Sequence, residues 1–410
     1  MTMKAQIIPL FSLESRIKRS LRDHLKKIGF TRTPNGFLQP PNDSKETIRS
    51  LHSAQRNALL KREKDFIKRT WPNLKDYFAN GTDIVPDKIV PSLELIEGGT
   101  WQSDLFRLAS LIWSVPVSQG YGRRLRFLVW DKSNGKLLGL LGLGDPVFNL
   151  RVRDDLIGWT ALQRKNHLVC LMDAYVLGAV PPYNLLMCGK MIACLVRTRE
   201  VRDHFAQKYQ RTKGIISGKR KHAKLVAVTT SSALGRSSLY NRLKLNGNKY
   251  FKSIGYTAGW GHFHVPGSLF KAIREYLELK GHRYSGNNRF GEGPNWRLRA
   301  IRQTLHSLNL NPNLLRHGIA REVFLSELAS NGKRYLIGKI KQLQYRGLLS
   351  VAQVAKHSIE RWIIPRSLKN TEYLNWTREN LLHLLSTNNN HSISSATTKQ
   401  KELEVGSSKL

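Results

Sequence analysis

The sequence predicts an α+β protein in which a central mixed sheet lies between two basic helical regions. Strand-like apolar runs are concentrated between residues 121 and 267, whereas on both sides of this stretch apolar residues recur at helical spacing among lysines and arginines. A chain of 410 residues is long enough for several domains with a stable core. We therefore predict a basic helical region at 1–120, an α/β core at 121–267, a basic helical region at 268–385 and a disordered tail at 386–410.

The N-terminal region is predicted to consist mainly of two basic helices. Residues 13–27 form an amphipathic pattern, and a longer helical pattern covers 44–68 after a break rich in proline, asparagine and glycine. Ser44 begins this second helix as a candidate N-cap. Residues 85–96 are punctuated by proline and are expected to be extended, and 105–112 are expected to form a short helix.

A β-hairpin begins the predicted core. Residues 126–131 form one strand, Asn134 and Gly135 provide the signal for a two-residue turn, and residues 136–144 form the returning strand. The elements expected after the hairpin are a central strand at 167–178, a helix from about 185 to 202, a basic loop at 213–221, a strand at 224–230, a short helix at 237–245 and a strand at 250–256. Together these elements predict the mixed sheet.

The C-terminal region is predicted to be mostly helical from Ser268 to about Trp376. From about Ser386 the chain is rich in serine, threonine, asparagine and lysine. Such a composition offers little apolar surface to bury, so we expect the tail to be disordered.

The charge of the chain indicates a polyanionic partner. Its 67 lysine and arginine residues against 29 aspartate and glutamate residues give a formal net charge of +38 and a pI of about 10.4. The field of such a protein attracts nucleic acid from a distance, and we expect DNA or RNA as the partner. The alternative is a charge that serves only solubility.

A membrane surface is the weaker interpretation of this charge, and the sequence shows neither a spanning segment nor a secretion signal. Its apolar stretches are interrupted by charge, and none approaches the roughly 20 residues of a spanning helix. The N-terminus lacks a signal-peptide pattern. Cys170, Cys188 and Cys194 lie in apolar segments without the spacing of a zinc site, so we expect reduced core cysteines in a cytoplasmic protein.

The densest ionic segment comes directly after a glycine-rich apolar run. Leu137 to Pro146 ends in Gly-Asp-Pro, a pattern typical of a buried strand that continues into a turn. The polar residues directly after it are Asn149, Arg151, Arg153, Asp154 and Asp155. Charged side chains beside the end of a buried strand are more typical of a site than of a solvated loop, so we expect a functional cleft here.

The order of elements in the core resembles the GNAT acyltransferase fold. The hairpin at Asn134, the strand that ends before Pro181 and is followed by a helix, and the segment from Ser238 to Tyr256 carry this resemblance. In that fold the helix after the central strand receives the pyrophosphate of acetyl-CoA on its N-terminal amides, within a Gln/Arg-x-x-Gly-x-Gly/Ala loop. This chain has Gly178-Ala-Val-Pro-Pro-Tyr-Asn184 there, in which two prolines remove two donors. The resemblance therefore implies the fold, while the loop departs from the cofactor-binding pattern.

A second resemblance covers most of the chain. Its motifs lie in the segments Trp113–Arg124, Gly144–Asp154, Leu177–Lys190, Ser232–Leu243, Ile254–His262 and Arg316–Arg321. As a set they resemble the Druantia anti-phage system protein DruA family. The resemblance implies a place in bacterial defence loci or mobile elements, a DNA-linked role, and partners among other defence-system proteins such as a helicase. It implies no particular chemistry.

The first functional hypothesis is nucleic-acid binding in a basic cleft, because arginine forms paired hydrogen bonds with phosphate. The candidate contacts are Arg123, Arg124, Asn149, Arg151, Arg153, Arg236, Arg242, Arg297, Arg316 and Arg321. The candidates for stacking on exposed bases are Trp159, Tyr183, Tyr240 and Trp260. The alternative is that these aromatic residues belong to the core and that some of the arginines pair with nearby aspartates.

The second hypothesis is a metal-dependent DNA-processing enzyme, either a nuclease or a transposase-like protein. Acidic residues are scarce, so Asp145, Asp154, Asp155 and the strand-embedded Asp173 are candidate ligands for Mg²⁺ or Mn²⁺. His262 and His264 lie two apart on a predicted strand and would share one face. An arginine partner would satisfy a buried carboxylate as well as a metal would, so the ligand set stays unknown.

The third hypothesis is acyl transfer of the GNAT type to a nucleic-acid base or a protein amine. Tyr240 lies where the resembling fold often carries a tyrosine that protonates the leaving thiolate, and packing between helix and sheet is its alternative role. The candidate catalytic residues are thus Asp145, Asp154, Asp173 and Tyr240. Catalysis and any cofactor stay open, and DNA binding within a defence system or mobile element is the favoured function.

Overall fold

The structure is a computed structural model that describes residues 2–118, 122–211, 218, 222–286 and 294–386. The predicted basic loop and the predicted disordered tail lie outside these residues, apart from Gly218 and Ser386. Within them, strands and helices form the predicted combination of a mixed sheet and flanking helices, so the α+β prediction is confirmed.

Seven of the described strands form one mixed sheet, and four short ones form two separate ribbons. The strands are β1 (Thr31–Arg32), β2 (Leu38–Gln39), β3 (Pro91–Leu95), β4 (Arg124–Asp131), β5 (Lys136–Gly144), β6 (Leu171–Ala179), β7 (Ala227–Ser231), β8 (Lys244–Leu245), β9 (Asn248–Lys249), β10 (Lys252–Tyr256) and β11 (Glu322–Glu327). The order across the large sheet is β10-β11-β7-β6-β5-β4-β3.

One parallel pair lies at the centre of this sheet. β6 and β7 run parallel, and every other pair of neighbouring strands in the described sheet is antiparallel. The β6–β7 pairing extends from Leu171 opposite Ala227 to Asp173 opposite Thr229, although β6 continues to Ala179. The backbone ladder between the two strands therefore ends at Asp173, and one residue later the Thr230 hydroxyl donates to the carbonyl of Ala174 at 2.9 Å.

Helices cover both faces of the sheet and form the basic regions on either side of it. The helices are α1 (Thr2–Lys27), α2 (Lys45–Leu74), α3 (Trp101–Ser110), α4 (Arg151–Ile157), α5 (Ala161–His167), α6 (Cys188–Leu195), α7 (Arg199–Tyr209), α8 (Ser238–Asn241), α9 (Gly267–Leu279), α10 (Pro294–Ser307), α11 (Gly332–Leu336), α12 (Val351–Ser358), α13 (Ile364–Lys369) and α14 (Asn380–Leu384). Every helix among the described residues is too short or too polar to span a bilayer.

The hairpin of β4 and β5 forms as the sequence predicts. Gly135 has a φ of +70°, which the tight turn requires and which glycine adopts without strain. The buried Asp131 carboxylate accepts hydrogen bonds from the backbone N–H and the hydroxyl of Ser133, and so fixes the start of the turn. Both strands are almost continuously buried because helices α6 and α7 pack on one face and α2 and α3 on the other.

The N-terminal and C-terminal helical regions pack against each other. Ile17 and Leu21 of α1 share a buried cluster with Tyr276 of α9 and Ile301 of α10. Ser44 caps α2 as predicted, with its Oγ accepting a hydrogen bond from the backbone N–H of Thr47 at 3.1 Å. The three cysteines are buried and unpaired, as expected.

Three sequence expectations require correction. The helix expected from about 185 to 202 is two helices, because the chain turns at 196–198 between α6 and α7. His262 and His264 lie in the irregular segment before α9 and do not share a strand face. β11 lies between β10 and β7, in a part of the chain that was expected to be mostly helical and for which no strand was predicted.

Candidate functional site

The ionic segment after β5 folds into a closed structural unit. Arg153 is 0 % exposed, and its Nε and Nη2 donate to Asp154 Oδ1 at 2.9 and 2.8 Å. Its remaining donors reach the carbonyl oxygens of Val147 at 2.7 Å and Phe148 at 3.1 Å. Since the guanidinium is fully buried and makes four hydrogen bonds within the protein, Arg153 holds the loop in place and is inaccessible to a phosphate.

Asp154 is the centre of the same unit. Its carboxylate also accepts hydrogen bonds from Trp159 Nε1 and Arg164 Nη1, both at 3.1 Å. A carboxylate with several donors stabilises the surrounding backbone and is poorly placed to bind a metal ion as well. We call the group Arg153, Asp154, Trp159 and Arg164 the Asp154 clasp.

Asp145 forms a similar closed contact at the end of β5. Arg123 donates from Nε to Asp145 Oδ1 at 2.7 Å and from its backbone N–H to Oδ2 at 3.0 Å. The guanidinium also reaches the carbonyl oxygens of Val169 and Leu171. Arg123 and Asp145 thus join the start of β4 to the start of β6.

The polar residues at the rim of the clasp remain accessible. Arg151 has a side chain that is 93 % exposed and pairs with the exposed Asp155 one turn later, at 3.3 Å. Asn149 is exposed in the loop before α4, and Arg124 is exposed at the start of β4. These residues stay candidates for contact with nucleic acid.

Asp173 lies where the backbone ladder between β6 and β7 ends. Thr229 of β7 donates a hydrogen bond to its carboxylate. Burial raises the pKa of Asp173 to about 6, although the Thr229 hydroxyl and the nearby Arg153 guanidinium favour the ionised form. This carboxyl can therefore change protonation state close to neutral pH.

Tyr240 is packed beside strand β11. Its ring lies 4.8 Å from Phe251 and 5.1 Å from Phe324, measured between centroids. Burial raises the pKa of Tyr240 to about 12, so the hydroxyl keeps its proton at neutral pH. Arg236 and Arg242, which lie before and after α8, are exposed.

The loop between β6 and α6 is closed by its own hydrogen bonds. The backbone N–H groups of Leu186 and Cys188 both donate to the carbonyl of Tyr183 at 3.2 Å, and the Pro181–Pro182 peptide bond is cis. The Tyr183 hydroxyl is buried and donates to Asp131 Oδ2 at 3.0 Å. Because these groups already bond to one another, the loop does not fit a cradle for the pyrophosphate of acetyl-CoA.

Arg321 lies beside a cluster of buried histidines. Its Nη2 is 3.3 Å from Nε2 of His52, and the Phe263 ring contacts the rings of His52, His264 and His317. Burial lowers the pKa of His52 and His264 to about 4 and that of His317 to about 3, so all three are neutral at pH 7. The Arg321 guanidinium therefore contacts the uncharged imidazole of His52.

The exposed aromatic residue Trp260 lies between two arginines. It is 41 % exposed, and the Cζ atoms of Arg302 and Arg316 are 5.6 and 5.8 Å from its ring centroid. Arg316 also lies 4.5 Å from the ring centroid of Phe37. In the described part of the chain neither arginine pairs with a carboxylate. We call Trp260, Arg302, Arg316 and Phe37 the Trp260 surface.

The structure divides the predicted site residues into those whose polar groups are already paired within the protein and those that remain accessible. Asp145, Asp154 and Asp173 do not converge, and the described residues contain no group of three or more histidine, cysteine, aspartate or glutamate side chains that could hold a metal ion. Arg297 holds α10 against its neighbours, with Nη2 2.6 Å from the carbonyl of Val265.

Sequence reasoning missed Arg302 and Phe37. Phe37, Trp260, Arg302 and Arg316 come from four separate segments, which only the fold brings together. The one sequence signal was the spacing of polar residues along the outer face of α10.

Comparison with known proteins identifies the family. The family model described as Druantia protein DruA matches residues 42–338. Druantia protein DruA of Escherichia coli (strain UMEA 4076-1) is 52 % identical to this chain over 373 residues, which cover 91 % of the chain and 92 % of that protein. No solved structure matches the chain. The resemblance predicted from the motifs is confirmed, and the chain belongs to the Druantia protein DruA family.

Proposed function

We propose that this chain is a DNA-binding component of an anti-phage Druantia system and that the Trp260 surface contacts the nucleic acid. The observation that carries the proposal is an exposed tryptophan flanked by two arginines that pair with no described carboxylate. Membership of the Druantia protein DruA family supports the defence role and suggests partner proteins from the same system.

The chemistry of this surface suits a nucleic acid better than a protein or a small molecule. An indole face stacks on any exposed base, and guanidinium groups beside it reach the phosphates on either side of that base. The net charge of +38 brings the polyanion to the protein, and the pairing of each arginine with an aromatic ring keeps its charge available. Single-stranded DNA is the form that presents unstacked bases.

We further propose that the central sheet follows a GNAT-like arrangement. The hairpin of β4 and β5, the parallel pair of β6 and β7, and the helix α6 after the central strand support this proposal. The closed loop around Tyr183 gives no support to acetyl-CoA binding, and we derive no acyl-transfer step.

A second candidate function, catalysis on DNA, rests on Asp173 alone. A carboxyl with a pKa of about 6, placed where the pairing of two strands ends, has the properties of a proton donor or acceptor. Incubation of single-stranded, duplex and branched DNA with Mg²⁺ or Mn²⁺ tests this candidate. Conversion by the wild type that disappears in Asp173→Asn supports catalysis, and conversion retained in that variant excludes Asp173 from the reaction.

The experiment that tests the proposed function measures DNA affinity in a pair of tryptophan variants. Loss of one stacked base costs about 1–3 kcal/mol, so Trp260→Ala should bind single-stranded DNA roughly 5- to 150-fold more weakly than the wild type. Trp101→Ala is the matched control, because Trp101 is 44 % exposed and lies on α3. Fluorescence anisotropy with a labelled oligonucleotide at fixed salt gives both affinities.

Two results would contradict the proposal. The first is an unchanged affinity of Trp260→Ala, which would show that this surface does not touch the DNA. The second is an equal loss in both tryptophan variants, which would indicate a general effect of removing an exposed ring. A duplex of the same sequence then shows whether the contact requires unstacked bases.

A further inference from the structure

A second basic site lies at the edge of the sheet that carries β10. It is a cavity of about 230 Å³ between the β8–β9 ribbon, strands β10 and β11, and the segment after α6. The lining side chains that matter here are Arg197, Lys249, Tyr250, Lys252, Glu327 and Ser330. None of them belongs to the Trp260 surface, so a ligand in this cavity would bind whether or not the proposed function is correct.

The charges around this cavity do not balance. Three cations, Arg197, Lys249 and Lys252, line it together with one carboxylate, that of Glu327, which pairs with Lys252. The net local charge is therefore about two positive units, which matches the charge of a phosphate monoester near neutral pH.

Arg197 provides the donor that lacks an acceptor. Its guanidinium lies 5.1 Å from the ring centroid of Tyr250, and its Nη1 makes only a long contact of 3.4 Å to the carbonyl of Lys249. Its Nε is buried and has no hydrogen-bond partner among the described residues. Because the Nη1 contact is long, the Nη groups of Arg197 keep donors for an anion in the cavity, and such a charge-assisted contact would be favourable.

The remaining groups of the cavity fit the same ligand. Lys249 and Lys252 contribute ammonium donors, the Tyr250 ring lies beside the Arg197 guanidinium, and the Ser330 hydroxyl donates to the carbonyl of Gln344 at 3.1 Å. The volume is smaller than the roughly 300–1,000 Å³ of most small-molecule sites, so it suits a phosphate group with a small attached part.

We propose that this cavity binds a phosphate monoester, with Arg197 as the principal contact and Lys249 and Lys252 as supporting cations. A free nucleoside monophosphate and the 5′-phosphate at a DNA end both carry this group. We refer to the cavity as the Arg197 pocket.

Isothermal titration with inorganic phosphate, at matched ionic strength, tests the Arg197 pocket in the full-length protein. We expect one saturable site, binding at least tenfold weaker in Arg197→Gln, and a smaller loss in Lys249→Gln, whose exposed side chain is not needed for folding. The control is Arg69→Gln, which removes the same charge from an exposed position on α2 and should bind phosphate as the wild type does. No saturable binding, or equal binding in all four proteins, would overturn the proposal.

Two further titrations identify the source of the phosphate. Tighter binding of a 5′-phosphorylated oligonucleotide than of its 5′-hydroxyl counterpart, lost in Arg197→Gln, reduced in Lys249→Gln and retained in Trp260→Ala, assigns the Arg197 pocket to DNA ends. Binding of dAMP without any preference between the two oligonucleotides assigns it to free nucleotide. The phosphate titration is informative even if the protein binds no DNA, so failure of the pocket and failure of the proposed function are distinguishable.

Discussion

Two arginine-rich regions of this protein use the same side chain in opposite ways. In the Asp154 clasp, Arg153 is fully buried and makes four hydrogen bonds, to one carboxylate and two backbone carbonyls. On the Trp260 surface, Arg302 and Arg316 lie over an exposed ring and pair with no described carboxylate. Both regions contain motif arginines, yet only the second presents its charge to a ligand.

This difference shows that a neighbouring carboxylate determines whether an arginine is available to bind a ligand. The chain has 29 acidic residues for 67 basic ones, and a carboxylate that pairs with an arginine removes that cation from the set available to a ligand. Asp145 holds Arg123 and joins the end of β5 to the start of β4, whereas Asp154 holds the adjacent Arg153 within one local loop. A motif arginine next to an aspartate is therefore weak evidence for a binding site.

The largest expected effect comes from breaking the clasp. Asp154→Ala leaves the buried Arg153 guanidinium without its counter-charge, and removal of one partner of a buried ion pair costs about 3–5 kcal/mol. We expect a decrease of that size in the free energy of unfolding, measured by urea denaturation followed by circular dichroism. The neighbouring Asp155→Ala removes the same carboxylate from an exposed pair and should change the unfolding free energy very little.

Equal stability of the two aspartate variants would contradict the structural role of the clasp. In that case Asp154 would again be a candidate for catalysis or metal binding. Loss of DNA conversion in Asp154→Ala without loss of stability would have the same meaning.

The arrangement of the central hairpin was predictable because its signals are local. Asn134 and Gly135 define the turn, and the apolar runs on each side define the strands, so the predicted and observed bounds of β5 agree. The N-cap at Ser44 was predictable for the same reason. β11 was not, because Glu322–Glu327 is a short strand whose stability comes from β7 and β10, far from it in sequence.

The site was less predictable than the fold. The sequence indicated that arginines and aspartates are concentrated after β5, but it does not indicate which arginine pairs with which aspartate. Burial decided that Arg153 is structural, and the approach of α10 to Trp260 placed Arg302 in the second region. Four aromatic residues were considered for stacking, and among them Trp260 alone is exposed. Tyr183 is buried, Trp159 belongs to the clasp, and Tyr240 packs against Phe251 and Phe324.

The buried histidines beside Arg321 predict that the stability of the protein depends on pH. His52, His264 and His317 have pKa values lowered by burial to about 4, 4 and 3, so the unfolded chain takes up protons at a higher pH than the folded one. The stabilisation is complete above pH 6.5 and decreases as the pH falls toward 4. Between pH 6.5 and pH 5, one such histidine alone lowers the free energy of unfolding by about 2 kcal/mol.

Urea denaturation at a series of pH values tests this prediction. His52→Gln keeps an acceptor for Arg321 but cannot be protonated, so the stability of this variant should depend less steeply on pH than that of the wild type. Phe263→Leu, which alters a residue that contacts the same histidines and does not titrate, should be less stable at every pH with an unchanged slope. A wild-type slope in His52→Gln would show that His52 is protonated in the folded protein.

The smallest expected effect is a difference between the two regions in how DNA affinity depends on salt concentration. The slope of log K against log salt concentration is negative, and each phosphate contact contributes about 0.7–0.9 to its magnitude. Arg316→Gln should therefore make the slope for DNA shallower by about that amount. Arg151→Gln removes the same charge from the rim of the clasp, where Asp155 already offsets it, and we expect the slope to stay at the wild-type value. Filter binding at several salt concentrations measures both variants. A decrease in the magnitude of the slope for Arg151→Gln equal to that for Arg316→Gln would extend the DNA interface across the clasp, and would mean that an exposed arginine with a carboxylate partner still reaches the phosphate backbone.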